Sequence, residues 1–442
     1  MIQNNGSVCR SIYANVKRKI EYFGDMSNLH GINNLFSTSH IPFFKRLFWL
    51  VVLTSSCFGA SIILQSALKL FSTGVASYSV ETNYLDWNTP FPAVTVCEQS
   101  DNGRVKAYLT QYKLSSNLAA FFKEVAFWNV KYCRTCNVCK INETCVENFE
   151  DAIDKIRHRC SELLTDCWWG GRYFKCCDEL HPIETEYGIC YVFNSALFGN
   201  SSILTVNRRV GLVDFTFSAV ELVGVRIHAP DDIVSAALEN ILSRSSSLPL
   251  VTEFEAILKV EQTVNDLSVS SLSETMRGCL FKDDLPPYPD WPFKQYTYSG
   301  CLLFCRALAQ YSFCNCTHHF LANIVKIPAC NVKGLACLYQ NRDEFPKFEC
   351  NCPMACDDTQ YKPVHIFYNR VSGKLSSELM KRGSRARVRF ASLPTLRVRR
   401  LAIKDTLGLV VDIGGVGGVF FGASLLSVIE LIYLFCIRRN RH

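Results

Sequence analysis

The chain has 442 residues, of which 48% are hydrophobic and 20% are charged, and its formal net charge is +7. A composition this apolar indicates that part of the chain lies in lipid. The modest charge gives no reason to expect nucleic-acid binding, because nucleic-acid binders carry a dense basic face.

Cysteine is the most unusual feature of the composition. Of 23 cysteines, 20 lie between Cys97 and Cys356. Such a density persists as disulfides only in an oxidising compartment, so the middle of the chain is predicted to lie outside the cell. The other three, Cys9, Cys57 and Cys436, lie in or beyond two apolar segments.

The first apolar segment runs from Leu47 to Leu68 without a charged residue. As a helix it would span roughly 33 Å, enough to cross the hydrocarbon core of a bilayer. A signal peptide is the alternative, but the segment starts far from the N-terminus and lacks a small-residue cleavage site. We therefore expect a membrane anchor over residues 44–68.

The long segment between the apolar stretches is predicted to be a mixed α/β domain. Four apolar runs predict strands; they are Pro90–Cys97, Leu204–Val206, Val213–Phe217 and Val223–Ile227. The stretch Asp231–Arg244 has helical spacing and an acidic start. Three sequons predict glycosylation at a surface that passes through the secretory pathway; they begin at Asn142, Asn200 and Asn315.

The cysteines of this segment form two groups. In the second group the spacings form a rough palindrome, and nested pairing would staple two antiparallel helices together; its ten members run from Cys279 to Cys356. The first group, Cys133 to Cys177, opens with C-x2-C-x2-C, which favours disulfides outside the cell and zinc in the cytosol. Sequence alone leaves the pairing in this first group open.

The second apolar segment runs from Leu407 to Cys436 and contains two carboxylates and six glycines. A lipid-facing anchor needs neither, and ionisable groups within a span usually face a wet interior. On an unbroken helix Asp412 and Glu430 would share one face, since 18 residues are about five turns. The basic residues beside both spans place both termini in the cytoplasm.

Several motifs, in order, resemble the epithelial sodium channel/degenerin family, which includes the acid-sensing channels, and within it the insect pickpocket-type subunits. They are His30-Gly31 ahead of the first span, FPAVTVC (Phe91–Cys97), YGICYVFN (Tyr187–Asn194), the ten-cysteine series ending in CNCPMAC (Cys350–Cys356), and GGVGGVFFGASLLSVIEL (Gly414–Leu431). The likeness covers nearly the whole chain.

The resemblance implies a trimer, with two transmembrane helices flanking a disulfide-rich ectodomain that is described as a hand with palm, finger and thumb. It also implies six disulfide bonds; they are Cys97–Cys190, Cys279–Cys356, Cys301–Cys352, Cys305–Cys350, Cys314–Cys337 and Cys316–Cys330. The boundaries that follow are a cytoplasmic N-terminus (1–43), a first helix (44–68), an extracellular domain (69–404), a pore helix (405–436) and a cytoplasmic C-terminus (437–442).

The resemblance also implies roles within the second span. Gly422, Ala423 and Ser424 match the selectivity motif G-x-S, where unwound backbone supplies oxygen ligands to an ion. The alternative is that the glycines only permit tight helix packing. Further pore or gate residues are implied; they are Val411, Asp412, Gly415 and Glu430. We interpret Asp412 as part of the outer mouth and Glu430 as a cation-attracting group near the cytoplasmic end, or as a residue that snorkels to the interface.

Two further positions bear on gating. His30-Gly31 resembles the family's cytoplasmic gating motif, which implies that this segment re-enters the cytoplasmic half of the pore. Val411 occupies the degenerin position, where the family commonly has a small residue and where bulky side chains favour the open pore. We hypothesise that homomers of this chain leak or gate unusually, or that the chain works beside partners with small residues there.

The expected function is a subunit of a plasma-membrane, voltage-independent, amiloride-sensitive-type channel selective for Na⁺. The resemblance implies a homo- or heterotrimer in the lipid bilayer with a sensory role, gated by a ligand or by force, and it implies no enzyme activity, metal or other cofactor. The alternatives are a non-conducting or regulatory surface receptor and, less well supported by the motifs, an ATP-gated channel. His318-His319 beside Cys314 and Cys316 would be the only hint of metal hydrolysis.

Overall fold

The computed structural model describes residues 29–36, 41–73, 76–128, 132–142, 145–197, 202–235, 246–248, 252–370, 383–403 and 406–433. The predictions for Cys9, Asn200 and Cys436 lie outside these ranges. The chain divides into two compact units, the first within 1–78, 265–277 and 400–442 and the second within 79–264 and 278–399.

Helices and strands alternate irregularly along the chain. The helices are α1 (Ile32–Phe36), α2 (Phe43–Ser72), α3 (Asn102–Gln111), α4 (Ala119–Ala126), α5 (Arg134–Asn142), α6 (Glu150–Ile156), α7 (Cys160–Leu163), α8 (Cys176–Glu179), α9 (Leu267–Ser270), α10 (Glu274–Arg277), α11 (Tyr298–Cys314), α12 (His319–Val325), α13 (Val332–Gln340), α14 (Thr406–Phe421) and α15 (Leu425–Ile432). The strands are β1 (Ala76–Glu81), β2 (Thr89–Pro90), β3 (Ala93–Glu98), β4 (Leu164–Trp169), β5 (Arg172–Phe174), β6 (His181–Thr185), β7 (Gly188–Phe193), β8 (Thr205–Val206), β9 (Asp214–Ala219), β10 (Val223–His228), β11 (Ser246–Leu248), β12 (Thr252–Asn265), β13 (Cys279–Leu280), β14 (Met354–Ala355), β15 (Asp358–Arg370), β16 (Ser384–Phe390) and β17 (Arg397–Ala402).

The first unit contains the apolar helices. Among the described residues, α2 is the one helix long and apolar enough to cross a bilayer, judged by length and composition, and α14 is apolar but shorter. Ala60 is the one residue of α2 that is buried. A helix that is apolar on all sides yet exposed within its own chain needs lipid or other subunits around it.

α14 packs against α2 through a glycine. A Cβ atom added at Gly59 would come 2.9 Å from the ring of Phe420. The two helix axes can approach closely here because Gly59 has no side chain.

Two main sheets lie mostly in the second unit. One has eight strands in the order β1-β17-β12-β16-β9-β4-β5, with β15 also paired to β12, and the other has the order β11-β10-β3-β7-β6. Large apolar side chains from these strands share one core, among them Phe193, Phe215, Phe217, Leu258 and Phe390.

The predicted strands are confirmed. β3 and β10 are buried along their whole length, and β9 is buried except at Asp214. Strands that are buried on both faces read as continuous apolar runs, which explains why the sequence located them. The helix predicted from Asp231 is wrong over residues 231–235, which are not helical, and its remainder lies outside the described residues.

Twenty cysteines form ten disulfides in the second unit. The long-range bonds are Cys97–Cys190, Cys279–Cys356, Cys301–Cys352, Cys305–Cys350, Cys314–Cys337 and Cys316–Cys330. The expectation of two helices stapled along their length is wrong. Cys301 and Cys305 lie on α11, but Cys350 and Cys352 lie in a non-helical segment. Only the Cys314–Cys337 bond of this series joins two helices, α11 and α13.

The cysteines of the first group pair with partners that are close in the sequence, 3 to 17 residues apart. Their bonds are Cys133–Cys136, Cys139–Cys145, Cys160–Cys177 and Cys167–Cys176. The three thiols of the C-x2-C-x2-C motif are therefore all in disulfides, which contradicts the zinc alternative. Of the cysteines that the structure describes, Cys57 on α2 is the free one.

Candidate pore site

The second apolar segment is interrupted at the predicted selectivity motif. α14 ends at Phe421 and α15 begins at Leu425, so Gly422, Ala423 and Ser424 are not helical. Gly422 has φ +62° and its N–H donates to the carbonyl of Gly418 over 2.9 Å. This left-handed residue with a 5→1 bond is a common helix C-terminus, and glycine adopts it without a steric penalty.

Ser424 starts the next helix. Its Oγ accepts a hydrogen bond from the backbone N–H of Ser427 over 3.2 Å, and the Ser427 hydroxyl oxygen accepts one from the backbone N–H of Ser424. This reciprocal cap fixes the first turn of α15. The motif therefore ends one helix with glycine and begins another with serine, which explains both residue types.

His30 and Gly31 lie against this interruption. The backbone N–H of His30 donates to the carbonyl of Phe421 over 3.0 Å, and a Cβ added at Gly422 would overlap the His30 ring. The His30 N–H therefore satisfies a carbonyl at the end of α14 that has no partner within the helix.

Gly31 is held on its other side by α2. It has φ +83°, and a Cβ there would come 2.8 Å from Cε3 of Trp49. Both the backbone conformation and the space therefore require glycine. The His-Gly pair is thus fixed between α2 and the end of α14, next to the second apolar segment as the resemblance implied, although His30 and Phe421 are 391 residues apart in the sequence.

The remaining predicted pore residues lie on the two helices around the interruption. Val411, Asp412 and Gly415 lie on α14, and Glu430 lies on α15. Val411 is 63% exposed within the single chain. The prediction that Asp412 and Glu430 share one helix face is wrong, because it required an unbroken helix and the helix is interrupted at 422–424.

Two of the three predicted glycosylation sites lie in described parts of the second unit. Asn315 follows the last residue of α11, is exposed and has φ +55°, a conformation that asparagine tolerates better than most residues. Asn142 is the last residue of α5. Asn200 lies outside the described residues.

The two adjacent histidines of the second unit are core residues. His318 is 1% and His319 is 9% exposed, and the His318 ring stacks on Trp128 at 5.2 Å. Burial lowers the pKa of His319 to about 4, and that of His318 lies well below its usual range. They pack as neutral aromatic side chains, and Cys314 and Cys316 beside them are in disulfides. This arrangement contradicts a metal-hydrolysis site.

The family of the chain is decided by a comparison over most of its length. The family model described as "Amiloride-sensitive sodium channel" matches residues 23–434. The chain belongs to the amiloride-sensitive sodium channel family. The resemblance drawn from the motifs is therefore confirmed.

Relatives within the amiloride-sensitive sodium channel family include insect and vertebrate proteins. "Sodium channel protein Nach" of Drosophila ananassae is 23% identical over 97% of this chain and 89% of its own length. "Pickpocket protein 19" of Drosophila melanogaster is 22% identical, with 92% and 88% covered. "Acid-sensing ion channel 1" of Gallus gallus is 23% identical, with 96% and 84% covered.

Proposed function

We propose that this chain is a pore-forming subunit of a voltage-independent, amiloride-sensitive-type channel that conducts Na⁺ selectively across the plasma membrane. One crossing of the bilayer is α2. The other consists of α14, the segment Gly422–Ser424 and α15. Both termini are cytoplasmic, the disulfide-rich unit is extracellular, and three subunits, identical or related, surround the pore.

The observation that carries the proposal is the interruption of the second apolar segment. In a bilayer, backbone groups outside a helix are tolerated only where they line water or are buried in protein. The backbone of Gly422–Ser424 lies outside a helix, within the second apolar segment. Its carbonyls and the Ser424 hydroxyl are the oxygen ligands that a dehydrating cation needs.

The test is two-electrode voltage clamp of oocytes that express the chain alone or with a related subunit, under a panel of stimuli. We expect an amiloride-sensitive inward current that disappears when Na⁺ is replaced by a large organic cation. Ser424→Ala should lower the Na⁺/K⁺ permeability ratio at least about threefold, because it removes an oxygen ligand from the narrow segment.

A matched serine in the first crossing provides the control. The Ser61 hydroxyl donates to the Cys57 carbonyl of its own helix over 2.7 Å, so Ser61→Ala should leave the permeability ratio unchanged. Surface expression without any Na⁺ current, alone and with related subunits, would contradict the proposal. The result would then favour a regulatory, non-conducting subunit.

Val411 bears on gating within the same proposal. Its bulk at the degenerin position should favour an open pore, so homomers should pass a basal current without a stimulus. Val411→Gly should lower this basal current at equal surface expression. Equal basal currents in the wild type and in Val411→Gly would contradict the hypothesis that Val411 favours the open pore.

A further inference from the structure

Three loops of the second unit bring a histidine and two carboxylates together. Asp101 caps the start of α3, His158 lies between α6 and α7, and Glu221 lies in the turn between β9 and β10. His158 Nε2 is 3.8 Å from Oδ2 of Asp101 and 3.9 Å from Oε1 of Glu221. All three ligand atoms lie within 4.8 Å of one another.

The imidazole is oriented by a buried carboxylate. Glu98, which is 1% exposed, accepts from His158 Nδ1 through Oε1 at 2.5 Å and from the His158 backbone N–H through Oε2 at 3.1 Å. These two hydrogen bonds occupy Nδ1 and orient the ring so that Nε2 faces the carboxylates of Asp101 and Glu221. A carboxylate that holds the second nitrogen of an imidazole is the usual support behind a metal-binding histidine.

The two remaining carboxylates are suited to the role of ligands. Oδ1 of Asp101 accepts from the backbone N–H groups of Gly103 and Arg104, at 2.7 and 3.1 Å, and this leaves Oδ2 on the side of His158. The Glu221 side chain is 36% exposed and has room to move. Tetrahedral bonds of 2.0–2.2 Å place ligand atoms about 3.3 Å apart, so a small closure would complete the site.

The local charge favours a cation. Three carboxylates, those of Glu98, Asp101 and Glu221, surround one imidazole. Two arginines act on the cluster. Arg157 lies 4.0 Å from Glu98, and Arg104, which pairs with Glu162 at 2.9 Å, also interacts electrostatically with His158 and Glu221. The carboxylates therefore outnumber the cations that balance them.

We propose that Asp101, His158 and Glu221 bind a divalent transition-metal ion, with Zn²⁺ the best fit, and leave one position for water. An imidazole with carboxylates suits Zn²⁺, whereas Ca²⁺ and Mg²⁺ prefer oxygen ligands alone. The bound ion joins the start of α3, the α6–α7 loop and the β9–β10 turn, and Glu98 acts as a positioning residue.

The test measures binding on the full-length protein, purified in detergent with a tag free of histidine and treated with a chelator. Titration calorimetry at about pH 8, where fewer protons compete for the ligand atoms than at lower pH, should show Zn²⁺ binding to the wild type. Affinity should fall at least about tenfold in Asp101→Asn, His158→Gln and Glu221→Gln. Glu98→Gln should weaken binding less than removal of a direct ligand.

A change at an exposed carboxylate outside the cluster provides the control. Glu150 lies in the first turn of α6, and Glu150→Gln should keep wild-type affinity. Melting temperatures in chelator identify any variant that is misfolded. Co²⁺ added to the wild type offers a readout that needs no variant, since three protein ligands and a water should give the intense visible bands of four-coordinate Co²⁺.

Two results would overturn the assignment. One is wild-type protein that shows neither Zn²⁺ binding nor Co²⁺ bands, and the other is wild-type Zn²⁺ affinity in all three ligand variants. Because binding is measured without recording current, these results are independent of whether the chain conducts Na⁺.

Discussion

At the scale of single residues, His228 shows how burial fixes a protonation state. Its Nε2 lies 2.7 Å from the Thr95 hydroxyl and its Nδ1 lies 2.8 Å from the Ala229 carbonyl. Because a carbonyl can only accept, Nδ1 carries the proton and Nε2 accepts from Thr95. Burial lowers the pKa of His228 to about 4.

This lowered pKa makes the fold sensitive to acid. Below the unfolded pKa of about 6.5 the unfolded chain binds a proton that native His228 does not, so stability falls as the pH drops from about 6.5 to about 4. At pH 5 this residue lowers the free energy of unfolding by about 2 kcal/mol relative to neutral pH. Replacement by a group that does not titrate should remove that loss.

We therefore predict that His228→Gln narrows the difference in melting temperature between pH 7.5 and pH 5. The absolute stability of the variant is expected to fall, and so the difference between the two pH values is the quantity to compare. Thermal unfolding of the detergent-purified protein measures it. The exposed His365→Gln is the control, and an unchanged difference in the His228 variant would argue against the assignment.

Gly422 is the second residue for which the structure makes a sharp prediction. Its left-handed backbone costs an alanine about 1–2 kcal/mol, and the added Cβ would overlap the His30 ring. Gly422→Ala should therefore abolish the Na⁺ current while the protein still reaches the surface. Current divided by surface-labelled protein is the measurement.

Gly414 provides the matched control, because a Cβ at this α14 position meets nothing within 4 Å. Alanine also suits a helix interior better than glycine does. Gly414→Ala should keep its current. Wild-type current in Gly422→Ala would show that the backbone there does not need the left-handed conformation.

At the scale of elements, the contact between α2 and α14 depends on one small residue opposite one large residue. Gly59→Val should push the Phe420 ring aside and reduce current and surface expression together, because the helices could no longer approach as closely. Phe420→Ala should partly restore both when it is combined with Gly59→Val. If the double variant is no better than Gly59→Val alone, the two side chains do not meet across the interface.

The sequence predicted elements whose residues carry the signal locally. β3 and β10 are buried on both faces and read as apolar runs, and the second apolar segment stood out by its glycines and carboxylates. The prediction that nested disulfides join two helices was wrong. The spacing of the cysteines does not reveal the conformation of the partner segment, and the residues around Cys350 are not helical. The pairs in the group Cys133–Cys177 could not be predicted, because many connectivities fit the same spacings.

The candidate sites divide in the same way. The Gly422–Ser424 motif was found from its residue types, and the resemblance implied that the His30-Gly31 segment enters the pore. The specific hydrogen bond from His30 to Phe421 could be found only in the folded structure. No sequence motif pointed to the cluster around His158, because its members are scattered along the chain from Glu98 to Glu221. An acid that directly follows an apolar run, as Glu98 does at the end of β3, could have suggested a buried partner without identifying it.

At the scale of the whole molecule, the apolar helices leave large side chains uncovered within one chain. Val419 of α14 is 83% exposed and Leu425 of α15 is 79% exposed. Lipid or neighbouring subunits must cover such residues. A pore formed around Gly422–Ser424 needs the neighbouring subunits, since a single interrupted helix encloses no path for an ion.

The number of subunits can be counted through Gly422. If one Gly422→Ala subunit silences the channel, mixing variant and wild-type RNA in equal amounts at constant total should leave about one eighth of the current of wild type alone in a trimer. A dimer would leave about one quarter and a tetramer about one sixteenth. Mixing with Gly414→Ala should leave the current unchanged. A residual current of one half would mean that each chain conducts independently, which contradicts a pore shared between subunits.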